Sequence, residues 1–192
     1  MAGRTFKAGY IVGSLATKSI NRVLARALVR LAPPALQMFE IPIGDLPLYS
    51  YDYDADYPPA GTALKRSIEA ADAVLLVTPE YNRSVPSCLK NAIDWASRPS
   101  RTNSFARKPS ATIGASTGAI GTAVAQQHLR GVLAHLNSPQ MNSPEAYIQM
   151  TPGLITEEGE VTRESTEAFL RKFMTEFHLF VERVHCAIPR DA

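Results

Sequence analysis

Three short stretches of the chain carry the residue types able to hold a ligand, and each joins an apolar run to a helical pattern. The first, residues 13–21, reads Gly-Ser-Leu-Ala-Thr-Lys-Ser-Ile-Asn, with three hydroxyls, one amide and a lysine. Backbone N–H groups at a helix N-terminus point outward unpaired, and the helix dipole adds positive potential, so the stretch suits an anionic oxygen such as a phosphate. Ser14, Thr17, Ser19 and Asn21 can each donate a further bond to such oxygens. Neither GxxxxGK[ST] nor GxGxxG is present there, so a mononucleotide phosphate fits better than a P-loop triphosphate or a dinucleotide. The plainer alternative is a capped helix behind an ordinary polar loop.

The second stretch, 78–86, reads Thr-Pro-Glu-Tyr-Asn-Arg-Ser-Val-Pro. Its prolines, Pro79 and Pro86, restrict the backbone and leave the N–H groups between them free to face a ligand. Tyr81 offers a flat apolar surface and Asn82 both a donor and an acceptor, which suits a planar heteroaromatic with polar edges. The alternative is a rigid turn whose tyrosine only packs. In the third stretch, 114–121, Gly-Ala-Ser-Thr-Gly-Ala-Ile-Gly, the glycines allow close backbone approach to a ligand. Its spacing looks like a nucleotide-binding glycine motif, but it lies mid-chain, away from the first strand–helix turn, and is a decoy in that respect.

The elements that must position these stretches follow from hydrophobic period. Residues 7–12 form an apolar run closed by Gly13, and Ile20, Val23, Leu24, Ala27, Leu28 and Leu31 then share one helix face, with Ser19 as N-cap. Pro33-Pro34 ends that helix, and 36–41 reads as a second strand. The Pro-, Tyr- and Asp-rich residues 45–59 form an ordered loop. A helix over 60–71, with Leu64 and Ile68 inward, leads into 73–77, which is apolar on both faces like a central parallel strand. A short helix over 86–97 carries Pro86 near its first turn. A strand at 110–115, a helix at 121–136, a strand at 146–149 and a long helix over 162–187 complete the chain, the last with Phe169, Phe173, Phe177 and Phe180 as core or subunit contact. Such alternation gives a parallel sheet between two helical layers. With five strands the expected order is 2-1-3-4-5, in one domain over residues 1–192. Ligands bind such sheets outside the carboxyl ends of the strands, where the three stretches lie.

Composition excludes several function classes. The 192 residues suffice for one well-packed domain, and 45% hydrophobic with 20% charged residues is neither disordered nor fibrous. Twenty basic against eighteen acidic residues give a net charge of +2, which argues against a nucleic-acid binder. No apolar run approaches the roughly 20 residues of a membrane-spanning helix, and residues 1–9 lack an apolar signal core. Only Cys88 and Cys186 are present, without CxxC spacing, so a disulfide scaffold and a zinc finger are excluded. The expectation is a compact cytoplasmic domain with no metal, nucleic-acid or membrane partner.

GSLATKSIN at 13–21, TPEYNRSVPSCLKNAIDW at 78–95, the glycine loop at 118–121, HLR at 128–130 and MNSPE at 141–145 together resemble the NADPH-dependent FMN reductase family, most closely its quinone and chromate reductases, over about 10–147. The resemblance implies a flavodoxin-like three-layer α/β sandwich with non-covalent FMN, and NADPH or NADH as electron donor. It gives Ser14, Ser19 and Asn21 to the FMN phosphate. It gives the backbone of Pro79, Glu80, Tyr81 and Asn82, with the loop from Ser116 to Gly118, to the isoalloxazine. It also implies a homodimer or homotetramer, with Arg83 and Glu145 as interface candidates. The chain departs from the family pattern at Ala16, where an arginine is common, at Ser87 in place of a glycine, and at Arg83 in place of an aromatic.

No Ser-His-Asp set and no paired carboxylates in a cleft motif are legible, and a flavin needs neither, because its ring accepts hydride and returns electrons. The expected activity is NAD(P)H-dependent, FMN-mediated reduction of quinones, with chromate, azo compounds and flavins as further acceptors, by ping-pong exchange through one site. Arg98 and Arg101 are candidates to meet the donor's 2′-phosphate or an anionic acceptor, against the alternative of an exposed basic turn. A flavodoxin-type electron carrier is the alternative function, disfavoured by the positive net charge, and a non-catalytic flavin-binding regulatory protein is a third. His128 with His135, and His178 with His185, share helix faces, where packing is expected over metal binding. Asp94 and Trp95 are expected to anchor the third helix beneath the second stretch.

Overall fold

Each crossover between parallel strands must lay its helix on a face of the sheet, and this chain makes that crossover four times. The computed structural model describes residues 4–188. In chain order the elements are β1 (Phe6–Val12), α1 (Ile20–Leu31), β2 (Leu36–Glu40), α2 (Pro59–Ala70), β3 (Ala73–Val77), α3 (Ser87–Ser97), β4 (Ser110–Ser116), α4 (Ala123–His135), β5 (Tyr147–Gln149) and α5 (Glu164–Ala187). The strands are all parallel in the order β2-β1-β3-β4-β5. This is the expected flavodoxin-like topology, and winding reverses between β1 and β3. No helix among the described residues is long and apolar enough to cross a membrane.

Strand alternation sends side chains to two cores. Phe6, Ala8 and Val12 of β1 join Leu24 and Leu28 of α1 and Phe173 and Phe177 of α5 on one face. Ile11 joins Leu64 and Ile68 of α2, Leu89 and Ile93 of α3, and Leu129 and Leu133 of α4 on the other. Every residue of β3 is buried, as its two-faced apolar run demands. Phe169 and Phe180 pack against the first core beside Phe173 and Phe177, so the phenylalanine stripe of α5 is core within one chain.

Element ends differ from expectation where backbone chemistry intervenes. Pro86 is extended (ψ 143) and stands before α3 as its N-cap, so the helix starts at Ser87. Gly121 has φ +63, and α4 starts only after Thr122. The loop between β2 and α2 is ordered by a single turn of 3₁₀ helix at Tyr51–Asp54.

Candidate functional site

The first stretch starts level with the end of β3, because the Gly13 N–H donates to the Val77 carbonyl at 2.9 Å. A Cβ on Gly13 would lie 2.9 Å from Leu89 Cδ2 and 3.3 Å from Pro79 Cδ, so glycine lets the first two stretches approach each other. Ser19 caps α1 with extended backbone and an Oγ that accepts from the Arg22 N–H at 3.4 Å. The first turn of α1 contains no acidic residue, so its N–H groups and dipole meet the rim of the sheet without a carboxylate. Ser14 and Ser19 are buried in this loop, and Thr17 is exposed.

Asn21 is placed differently from expectation. Its amide faces β4, with Nδ2 donating to the Ala115 carbonyl at 2.9 Å and Oδ1 accepting from the Ala115 N–H at 2.8 Å. The side chain, 1% exposed, thus ties α1 to the end of β4. An amide is the group that can answer a buried backbone donor and acceptor together.

The second stretch closes on itself. The Tyr81 N–H donates to the Ser84 carbonyl at 3.1 Å and the Ser84 N–H to the Tyr81 carbonyl at 3.0 Å. Asn82 and Arg83 stand between them at φ 50 and 58, as a type I′ turn requires. Arginine is a poor residue for that conformation, and its side chain here pairs with Glu80 at 3.1 Å. Tyr81 is 49% exposed, so its ring is not spent on packing. Glu80 carries a role that sequence reading missed: its Oε2 accepts from the N–H groups of Val124 and Ala125 at 2.9 and 3.1 Å, in the first turn of α4. The sequence offers only the absence of an acidic residue in the first turn of α4 as a signal, and it does not name the partner. Ser84 Oγ and His128 Nδ1 share a hydrogen bond of 3.0 Å one turn further along α4.

In the third stretch the glycines divide by role. A Cβ on Gly114 would collide with the Thr78 carbonyl oxygen and Thr122 Oγ1, so this glycine seats β4 against its neighbours. A Cβ on Gly118 would meet nothing closer than Ser116 Oγ at 3.6 Å, and its own N–H donates to that oxygen at 3.2 Å. Gly118, Ser116 and Gly121 line a cavity of about 510 Å³ together with Glu80, Asn82 and Arg83. The second and third stretches therefore meet across one concavity. The open N-terminus of α1 lies on the same edge of the sheet.

Two groups fall elsewhere. Arg98 caps the far end of α3, and Arg101 lies in the turn beyond it. Eleven helical residues separate them from Pro86, a rise of about 16 Å toward the opposite edge of the sheet. They line a groove between α3 and α4 with Lys90, His128 and His135, and the structure does not bring them to the three stretches. Trp95 is buried at that same end, where its Nε1 donates to the Pro47 carbonyl at 2.7 Å. Tyr49, Tyr53 and Tyr57 surround its ring. It therefore anchors the β2–α2 loop, and Asp94 pairs with Lys90 on the surface at 2.7 Å. The Tyr57 hydroxyl donates to the Trp95 carbonyl, and burial pushes its pKa up to about 12. The Cys88 thiol donates to the Gly13 carbonyl at 3.4 Å, and burial pushes its pKa up. His185 stacks on Phe6 and bonds the Asp72 carbonyl at 3.0 Å. Among the described residues no group of three or more His, Cys, Asp or Glu converges as metal ligands do.

Residues 6–153 match the family model described as NADPH-dependent FMN reductase. A 2-hydroxy-1,4-benzoquinone reductase of Burkholderia sp is 49% identical over 175 residues, 91% of this chain and 96% of that protein. A quinone reductase of Pseudomonas putida is 43% identical over 180 residues, 93% of this chain and 96% of that protein. Among solved structures, the flavoenzyme NAD(P)H:(acceptor) oxidoreductase FerB of Paracoccus denitrificans superposes with a TM-score of 0.90 at 45% identity, covering 93% of this chain and 98% of that one. A flavodoxin of Pseudomonas aeruginosa, 17% identical with a TM-score of 0.54, shares the fold. The chain belongs to the NADPH-dependent FMN reductase family, with FMN as its flavin and NAD(P)H as its electron donor.

Proposed function

We propose that the protein is a cytoplasmic quinone reductase in which donor and acceptor are bound in turn at one site, as ping-pong exchange. FMN supplies the hydride and two-electron chemistry when bound. The observation that carries the reading is the N-terminus of α1, free of acidic residues, on the same edge as a glycine-lined cavity of about 510 Å³. In this reading Ser14, Thr17, Ser19 and the first-turn N–H groups of α1 hold the FMN phosphate. The backbone of Pro79, Glu80, Tyr81 and Asn82 and the loop from Ser116 to Gly118 hold the ring, in one flavodoxin-like domain over residues 1–192. Asn21 acts as the tie between α1 and β4, and Arg98 and Arg101 stand apart from the site of their own chain. Quinone as acceptor follows the names of relatives 49% and 43% identical. Chromate, azo compounds and free flavins are further acceptors in this reading, since stacking on a flat ring is permissive.

Leu15, Tyr81 and Ile120 are large, exposed and apolar. One lies in each of the three stretches that follow the carboxyl ends of β1, β3 and β4. That apolar rim supports a homodimer or homotetramer that covers the flavin edge, to be measured by light scattering. The two unpaired cysteines fit a reducing compartment. The test of function is steady-state oxidation of NADPH and NADH by the FMN-loaded protein with benzoquinone. Parallel-line initial-rate patterns are expected. A yellow protein that NAD(P)H does not bleach would overturn the enzyme reading and leave an electron carrier or regulatory flavoprotein.

A further inference from the structure

The N-termini of α1 and α4 lie on the same edge of the sheet, α1 capped by a neutral serine and α4 by a carboxylate. At α4 the carboxylate of Glu80 accepts from two first-turn N–H groups, at 2.9 and 3.1 Å, and pairs with Arg83 at 3.1 Å. Its side chain is 6% exposed, yet the residue lines the 510 Å³ cavity beside Ser116 and Gly118. A carboxylate in this position takes the place that an anionic ligand group would otherwise occupy. We propose that Glu80 is a positioning residue for the flavin, directing the phosphate to α1, holding the 81–84 turn against α4, and weighting the cavity against the reduced, more negative ring.

The proposal rests on the reading of this cavity as the ring site, and it assigns a role to the side chain where that reading used only the backbone. Three observations carry it. Thr122 makes no side-chain cap and α4 has no acid in its first turn, so Glu80 answers donors that nothing else on the helix answers. Arg83 sits at φ 58 in the turn and its guanidinium pairs with the same carboxylate at 3.1 Å, so Glu80 touches both the turn and α4. Ser84 and His128 supply a second clamp between the turn and α4, so losing Glu80 loosens the turn without releasing it. Reduction adds electrons to the ring, and a nearly buried carboxylate opposes added negative charge. The dipole of α4 and the Arg83 guanidinium offset part of this field.

Two variants separate the parts. Glu80→Gln keeps an oxygen for the α4 amides and removes the charge, whereas Glu80→Ala removes both. Amide hydrogen exchange of the flavin-free protein reads the cap, FMN titration reads affinity, and equilibration with a reference dye reads the ratio of reduced to oxidised FMN binding. In Glu80→Ala, exchange at Val124 and Ala125 is expected to rise about tenfold, with FMN affinity down about tenfold. In Glu80→Gln, exchange should change little while the ratio shifts about tenfold toward reduced FMN, or about 30 mV for a two-electron couple. Glu80→Gln carries the test alone if Glu80→Ala does not fold. If the unsubstituted protein binds FMN and Glu80→Gln leaves the ratio unchanged, the proposal fails and the cavity reading stands. If the unsubstituted protein binds no FMN, both fail.

Discussion

Two helices end on the same edge of this sheet with opposite electrostatic endings. The N-terminus of α1 has a serine cap, no acidic residue in its first turn and a hydroxyl-rich loop before it. The N-terminus of α4 has no cap of its own and takes the Glu80 carboxylate from a turn 44 residues earlier in the chain. Both satisfy the same requirement, since the first N–H groups of any helix need partners. The difference is where the partner comes from. A carboxylate at α4 offsets the positive end of that helix from within the chain, whereas the neutral serine cap leaves the positive end of α1 uncompensated by charge. The proposal that seats the phosphate at α1 and the ring between the second and third stretches rests on that asymmetry.

Perturbing what holds the two ends together should have the largest effect. Gly114 lets the end of β4 pass between the Thr78 carbonyl and Thr122, just before α4. Gly114→Ala should lower stability by about 3 kcal/mol through overpacking, read by urea denaturation. Asn21→Ala cuts the tie between α1 and β4 and strands the N–H and C=O of buried Ala115. A loss of about 2 kcal/mol is expected, with FMN affinity reduced only through the displaced loop. If Asn21→Ala keeps full stability but abolishes FMN binding, the amide belongs to the phosphate site after all.

Smaller effects mark the flanks. Cys88, held under Gly13 with its pKa raised by burial, should react with a maleimide at least about tenfold more slowly than exposed Cys186 at pH 8. FMN should slow Cys88 further if the first loop closes over the phosphate, and equal labelling of the two cysteines would contradict the packing of α3 against that loop. The smallest change concerns Tyr57, on the side of the molecule away from α4. Its hydroxyl titrates near 12 in the fold against an ordinary 10.0, so the neutral form is favoured. That contribution is complete below pH 10.0 and disappears as pH rises toward 12. The thermal midpoint of Tyr57→Phe should therefore fall less steeply across that window than that of the unsubstituted protein.

The sheet order was readable because each crossover is local: a serine cap at 19, Pro33-Pro34, the all-apolar 73–77 and the glycine at 121 mark boundaries within a few residues. The open end of α1 was readable for the same reason, since the serine, the hydroxyls and the missing acid are adjacent in the chain. Glu80 was not, because its partners at Val124 and Ala125 become neighbours only when β3 and β4 pair. Asn21 at the first turn of a helix looks equally like a ligand donor or a tie, and Ala115, far along the chain, decides it. Arg98 and Arg101 lie beyond the end of α3, as the exposed-turn alternative has it, because a helix that leaves one edge of a sheet delivers the next residues toward the other. Trp95 does anchor α3, but against Pro47, Tyr49, Tyr53 and Tyr57, partners far back in the chain that only the fold brings to it.

The central claim is that α1, and not α4, receives the phosphate, and Ser19→Asp tests it by giving α1 the ending that α4 already has. Aspartate is a good N-cap, so stability should stay within about 0.5 kcal/mol. Titration of FMN and of riboflavin, which lacks the phosphate, into the flavin-free unsubstituted protein and this variant is the measurement. FMN affinity should fall at least about a hundredfold in Ser19→Asp through charge repulsion while riboflavin affinity changes less than about threefold. Equal loss of both ligands, or unchanged FMN affinity, would contradict the account.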